Sequence, residues 1–337
     1  MKKVLVALLT LALLMVSIAA MADEPSGTVV VYSSHQSEPL NSAVNAFMAK
    51  YPGVQVEVVS LGGGEILQRV AAEAANPLCD VSWGSGVDSV DAYSEYWQEY
   101  ISPEDAAIGD QYKDAEHKWY ADSTIVYVNM YNKKLVAAKG VPEPTTWADL
   151  IDETWKGQIA MADPAQSGSA YVQVCALLFD NGGAENGGWD FVNKFYQNLD
   201  GKIQSSSSKI PKGVADGEYA LGLTLEKFAV EYIGNEDVGW YYPAEGTAAV
   251  GEGIALVKGA PHEENGKLFI DFVLSQECQQ QQSDEWNRRS VRSDVTVNDA
   301  LPSIDELKVM DYDVQWAADH KAEVLETWQD IVVGDYE

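Results

Sequence analysis

Cysteine and histidine are scarce: three of one and four of the other in 337 residues. Cys79, Cys175 and Cys278 are too few and too scattered for a disulfide scaffold, and they lack metal-ligand spacing. They read as buried structural thiols; one oxidised pair is the alternative, and the sequence does not choose its members. His117, His262 and His320 stand in polar surroundings with no paired ligand spacing. No GxSxG, HExxH or clustered-Asp motif occurs, and no glycine run matches a dinucleotide fingerprint or a P-loop. No catalytic residue, metal site or cofactor is therefore expected. Positive charge is scarce as well: 22 Lys and Arg stand against 52 Asp and Glu, a formal charge of −30. Such a chain is repelled by nucleic acid and by anionic lipid, which removes both as partners. The acids are spread along the chain and read mainly as a solvated surface. A small anion can still bind where local N–H groups outweigh the global field.

Long apolar runs are missing after residue 20. The chain opens on Lys2 and Lys3, an uncharged apolar run over residues 4–20, and the small-residue signal Ala20-Met21-Ala22. That order is a secretory leader cleaved after Ala22, too short and wrongly flanked for a membrane anchor. No cysteine follows the cleavage point, which argues against a lipid anchor. The mature protein is expected to begin at Asp23 and to work outside the cytoplasmic membrane. The leader takes two of the 22 basic residues and none of the 52 acidic ones, so the charge moves from −30 to −32. About 315 residues suit two lobes better than one core. A hydrophobic fraction of 46% excludes disorder.

What is present centres on residues 163–171, DPAQSGSAY. A short apolar run leads in and an apolar helix leads out. Ser167, Gly168, Ser169 and Ala170 fall where that helix begins, so their N–H groups have no partner inside it. Serine hydroxyls add donors, and the helix dipole adds partial positive charge. The spot suits phosphate, sulfate or carboxylate; taken alone, an ordinary N-cap explains it equally well.

The same theme recurs along the chain. Residues 28–32 (TVVVY), 54–59 and 79–83 read as strands, each followed by small or hydroxylated residues and then a helix. Successive strand–helix units predict a parallel sheet in an α/β lobe, and open parallel sheets bind ligands beyond the carboxyl ends of their strands. Ser34, His35, Gly63, Gly64 and Ser85 are therefore candidates for one wall of a cleft. A tight turn explains the glycines as well as contact does, whereas His35 fits neither core nor turn. Ser206 and Ser207 lie in a second hydroxyl cluster, residues 205–208. Thr224 and Glu226 close the strand read over residues 219–223. A carboxylate closing a buried strand is costly unless paired, and it can accept ligand hydroxyls. Arg288, Arg289 and Arg292 form a local basic cluster that could hold an anion and is read first as paired with surface acids.

TVVVYSSH, the GGG helix start, Tyr131-Asn132, DPAQSGSAY, GLTLE, YPAEGTAA, GIALVKGAPH, FIDFVLS and RRSVRSDV follow one another over most of the mature chain. In this order they resemble the extracytoplasmic solute-binding proteins of ABC importers, in the ferric-iron, phosphonate and sugar-phosphate class. The resemblance implies an α/β, two-lobed type 2 periplasmic-binding-protein fold with a hinge. Lobe 1 would comprise residues 23–120 and 248–295, lobe 2 residues 121–247, and residues 296–337 the C-terminal helices. Two segments would cross, near 119–129 and 248–256. It also implies a membrane permease as partner and a monomer as the default. Ferric-ion members carry adjacent tyrosines where this chain has Leu225-Glu226-Lys227; Tyr241-Tyr242 lies in the next strand and reads as a decoy. Hexose-phosphate members carry a His after the first strand and a Glu after the later one, which His35 and Glu226 match, while Ser206 and Ser207 replace an expected acid. The expected role is capture of a small anionic solute, a sugar phosphate first, with phosphonate or ferric iron as alternatives. An exported phosphate-ester hydrolase is the competing class.

Overall fold

The computed structural model describes residues 24–296 and 301–336; the expected leader lies outside them. β1 (Gly27–Ser33), β2 (Val54–Ser60) and β3 (Val81–Gly86) form where short apolar runs end in Ser or Gly. β1 lies between the other two and is parallel to both, as successive strand–helix units require. Helices Ser37–Lys50, Gly63–Ala72 and Val87–Asp91 follow them in turn. β4 (Tyr120–Asn132) is buried along its whole length, as a strand covered on both faces is. β5 (Ile159–Ala162), β6 (Ile203–Gln204), β7 (Leu221–Leu225), β8 (Val238–Tyr241), β9 (Ala249–Leu256) and β10 (Arg289–Ser290) complete the strands described. The order is β2-β1-β3-β9-β4-β7-β5-β6, with β8 and β10 also on β4.

One strand thus serves two halves. Residues 120–126 of β4 pair with β9, and residues 127–131 pair with β7. One core gathers Phe47, Trp83, Phe269 and Phe272; a second gathers Trp147, Tyr171, Phe195 and Leu199. The chain crosses along β4 and returns between β8 and β9. Each large side chain fully removed from water stabilises its half by about 1.5–3 kcal/mol. The cleft therefore lies between two independently cored bodies. β9 runs through Glu252, which interrupts its apolar pattern without ending the strand.

A third passage goes beyond the two crossings expected from sequence. Thr247 bridges to Val309 as the chain returns along the seam. Helices Val314–Asp319 and Lys321–Val333 then pack Ala317, Val324, Trp328 and Ile331 into the second core. The same segment holds the first half: Tyr312 donates to Asp88 at 2.6 Å and Lys321 donates to Ser89 at 2.7 Å. Apolar residues at helical spacing explain the docking. Cys79, Cys175 and Cys278 are buried free thiols, and burial pushes all three thiols up to about 12. No described helix is long and apolar enough to cross a membrane.

Candidate functional site

Between the halves lies a cavity of about 630 Å³. Ser34, Gly63 and Ser85 line one wall; Ser167, Gly168, Ser169, Ser206 and Ser207 line the other. Ser167 caps helix Gly168–Asp180 by accepting from the Ala170 N–H. The N–H groups of Gly168 and Ser169 are left without a partner inside that helix. Hydroxyls extend the donor surface: Ser167 Oγ lies 3.1 Å from Ser169 Oγ, which lies 2.8 Å from Ser207 Oγ. Hydroxyls bonded in a row can turn together to present hydrogens to an anion. Gly64, Ala170 and Thr224 adjoin this surface without lining it.

Ser85 is under strain. Its φ is +85°, a left-handed conformation that L side chains avoid. It sits at the end of β3, between the starts of two helices. A Cβ on Gly63 would stand 2.3 Å from its Oγ, and one on Gly168 would stand 3.4 Å from its Cβ. Its hydroxyl is buried and lacks a partner, so a cavity-lining donor is held ready at a backbone cost. Ser85→Gly is therefore expected to raise stability by about 1 kcal/mol while weakening ligand binding, measured by urea unfolding and titration on the same preparation. Gly62 and Gly64 serve a different need. A Cβ on them would meet the carbonyls of Gln166 and Ala165 at 2.8 and 2.9 Å, so the walls touch along a glycine-only seam.

Behind the floor lies a buried charge cluster. Arg288 donates to Glu252 at 2.5 Å, to Ser123 at 2.7 Å, to Asp122 at 3.3 Å and to His35 Nδ1 at 3.2 Å. Lys227 donates to both Glu252 oxygens, at 2.9 and 3.0 Å. Because arginine only donates, His35 Nδ1 accepts and the ring proton sits on Nε2, which has no hydrogen-bond partner. Burial holds the imidazole neutral, well below 6.5, and Arg288 and Lys227 add to that against the pull of Glu252. Burial alone would raise the Glu252 carboxyl; Lys227 and Arg288 reverse it and hold it below the carboxylate range. Burial pushes Asp122 up. His35, Asp122 and Glu252 offer ligand atoms within 4.8 Å of one another, a spacing that a cation could use. Arg288 and Lys227 already neutralise both acids, so the cluster reads as an ion network.

Glu226 is placed one layer behind the wall as well. Arg289 grips it with two bonds, at 2.6 and 2.8 Å, and Tyr242 donates to it too. Tyr241 faces Asn129 and the Thr146 carbonyl, so neither adjacent tyrosine lines the cleft. The basic cluster is not a surface feature. Arg288, Arg289 and Arg292 are all buried, and Arg292 pairs with Glu104 and Asp294. Each reaches an acid that its neighbours in sequence do not supply. Sequence reasoning also passed over Asp122 and Glu252; a lone acid inside an apolar strand was the available signal, since such a group needs a partner.

Residues 92–314 match the family of bacterial extracellular solute-binding proteins. A periplasmic protein of Salmonella typhimurium, whose name proposes 2-aminoethylphosphonate as its ligand, is 28% identical over 302 residues, covering 85% of this chain and 86% of that protein. Iron uptake protein A1 of Synechocystis is 25% identical over 312 residues, covering 86% and 83%. The solved periplasmic binding protein AfuA of Actinobacillus pleuropneumoniae, with fructose-6-phosphate bound, superposes with a TM-score of 0.85 at 25% identity, covering 91% of this chain and 98% of that one. Iron-bound HitA of Pseudomonas aeruginosa superposes at 0.78 with 20% identity, covering 91% and 99%.

Proposed function

Because the chain belongs to the bacterial extracellular solute-binding proteins, and so serves an ABC importer from the periplasm, we propose that its cargo is a small phosphorylated solute, a sugar phosphate first. The observation that carries this reading is the donor surface around Ser167–Ser169. Unpartnered helix N–H groups and a row of serine hydroxyls open on a cavity of 630 Å³, large enough for a ligand beyond the anion itself. Ser34, Ser85, Ser206 and Ser207 add donors around it. Lobe 1 (residues 23–120 and 248–295) and lobe 2 (residues 121–247) close on the solute by hinge motion, and the permease recognises the closed form. A phosphonate is the second reading, favoured by the name of the Salmonella relative. Ferric iron wants phenolate oxygens, and the tyrosines that would supply them are turned to Asn129 and Glu226.

Thermal unfolding against a panel tests this. The panel is fructose 6-phosphate, a pentose phosphate, 2-aminoethylphosphonate, inorganic phosphate and Fe(III) citrate. A ligand that binds only the folded state raises the midpoint with its concentration. The expected result is a shift with a phosphate ester that Ser169→Ala reduces, without phosphate release. A shift with Fe(III) citrate alone, lost in Tyr242→Phe, overturns the reading; turnover of the ester would make the protein a hydrolase.

A further inference from the structure

We infer that Lys227 is the anion receptor of the cleft: it takes the charged group of the solute by releasing Glu252, which Arg288 keeps. The inference rests on the phosphorylated or phosphonate cargo proposed above. Among the described residues that line the cavity, Lys227 is the one cationic side chain. Its Nζ is committed to a single acid, Glu252, which also lines the cavity.

Glu252 has more cationic partners than one carboxylate needs. It takes two bonds from Lys227 and a further one from Arg288 at 2.5 Å. When Lys227 turns away, Oε2 of Glu252 is still paired with a guanidinium that cannot lose its charge. A buried acid stripped of its last partner would be strongly unfavourable, and that does not happen here. Arg288 has no such freedom, because Asp122, Ser123, His35 and Glu252 all depend on it. Of the two cations, only Lys227 can move at low cost.

The two side chains also differ in what they can do. A lysine is a compact point charge on a four-carbon stem with rotatable donors, whereas Arg288 is a fork fixed by its acceptors. Lys227 is only 13% exposed, with Nζ 5.5 Å from the centroid of the Phe228 ring. Burial pushes its ammonium down, Arg288 adds to that, and Glu252 and Asp122 oppose it. An anion entering the cavity supplies countercharge on the open side. The serine hydroxyls and helix N–H groups fix the geometry of the anion, and Lys227 answers its charge.

Calorimetric titration of the mature protein with fructose 6-phosphate, 2-aminoethylphosphonate and inorganic phosphate, at pH 5 and 7.5, tests this in wild type, Lys227→Met and Lys227→Arg. The second phosphate ionisation falls near pH 6, a value of about 6 being usual for a phosphomonoester. Wild type is expected to gain affinity as the second charge develops. Lys227→Met should bind at least tenfold more weakly with that gain flattened, and Lys227→Arg should restore most of both. Met binding within threefold of wild type with the same response to pH overturns the inference. So does a loss that keeps the pH response and that Arg does not repair, which would mark a structural role. Wild type binding none of the three anions overturns the cargo reading and this inference together. If Lys227→Met does not fold, Lys227→Gln takes its place in the same titrations, and Gln binding within threefold of wild type with the same response to pH overturns the inference.

Discussion

Arg288→Met is expected to lower the unfolding free energy by about 3–5 kcal/mol at neutral pH, the range for removing one partner of a buried ion cluster. The measurement is a shift of the urea midpoint at unchanged slope. Methionine replaces much of the stem volume, so the loss is one of charge and donors rather than of packing. Asp122 keeps the Trp83 indole N–H at 3.0 Å but loses its cation, and Glu252 retains Lys227 alone. A control separates burial from mere ion pairing. Lys50→Met breaks a 2.7 Å pair with Glu277 whose side chains are 41% and 64% exposed, and such pairs contribute about 0–1 kcal/mol. The deficit in Arg288→Met should narrow as the pH falls. Burial already raises Asp122; without Arg288 it takes up a proton sooner and escapes the cost of an unpaired charge. An equal deficit at pH 5 and pH 8 would mean that Arg288 acts by packing.

The Arg288 cluster also marks where the sequence stopped being legible. The parallel β1–β3 sheet was readable because β-branched runs, serine or glycine ends and helical spacing are local signals. DPAQSGSAY was readable for the same reason: a strand stop, a cap and an apolar helix fall within nine residues. The charge pairs are not local. Arg288 meets Asp122 across 166 positions and Arg289 meets Glu226 across 63. An acid in an apolar strand announces that it needs a partner, yet nothing nearby says which basic residue supplies it. A run of arginines in an acidic chain looks like a surface for the same reason. Ser85 was proposed as a wall residue from its position at a strand end, but its left-handed backbone depends on two helix starts that only the fold brings together. The third passage was missed likewise: Tyr312 and Lys321 meet Asp88 and Ser89 across more than 220 positions.

Stability is expected to fall between pH 7 and pH 5 through His35, and His35→Gln should remove that part of the fall. In the fold, burial holds the imidazole neutral and well below 6.5, with Arg288 and Lys227 reinforcing it. Once unfolded, the ring returns to about 6.5 and binds a proton as the solution becomes acidic. The unfolded chain then carries more protons than the fold, so stability declines with acid and is fully present above the unfolded value. Over two pH units below 7 this contributes about 2 kcal/mol, with a limiting slope of about 1.4 kcal/mol per unit. Asp88 and Asp122, raised by burial, act in the opposite sense in acid, so the total curve does not isolate the histidine. The difference between the wild-type and His35→Gln curves does, because the glutamine amide can still accept from Arg288 and cannot titrate. That difference should be flat above pH 7 and steepen below pH 6. A difference that is flat below pH 6 and falls as the pH rises above it would mean that His35 is protonated in the fold, with Glu252 at 3.4 Å as its counter-ion. The cluster behind the cleft would then carry one more positive charge than its bonding implies.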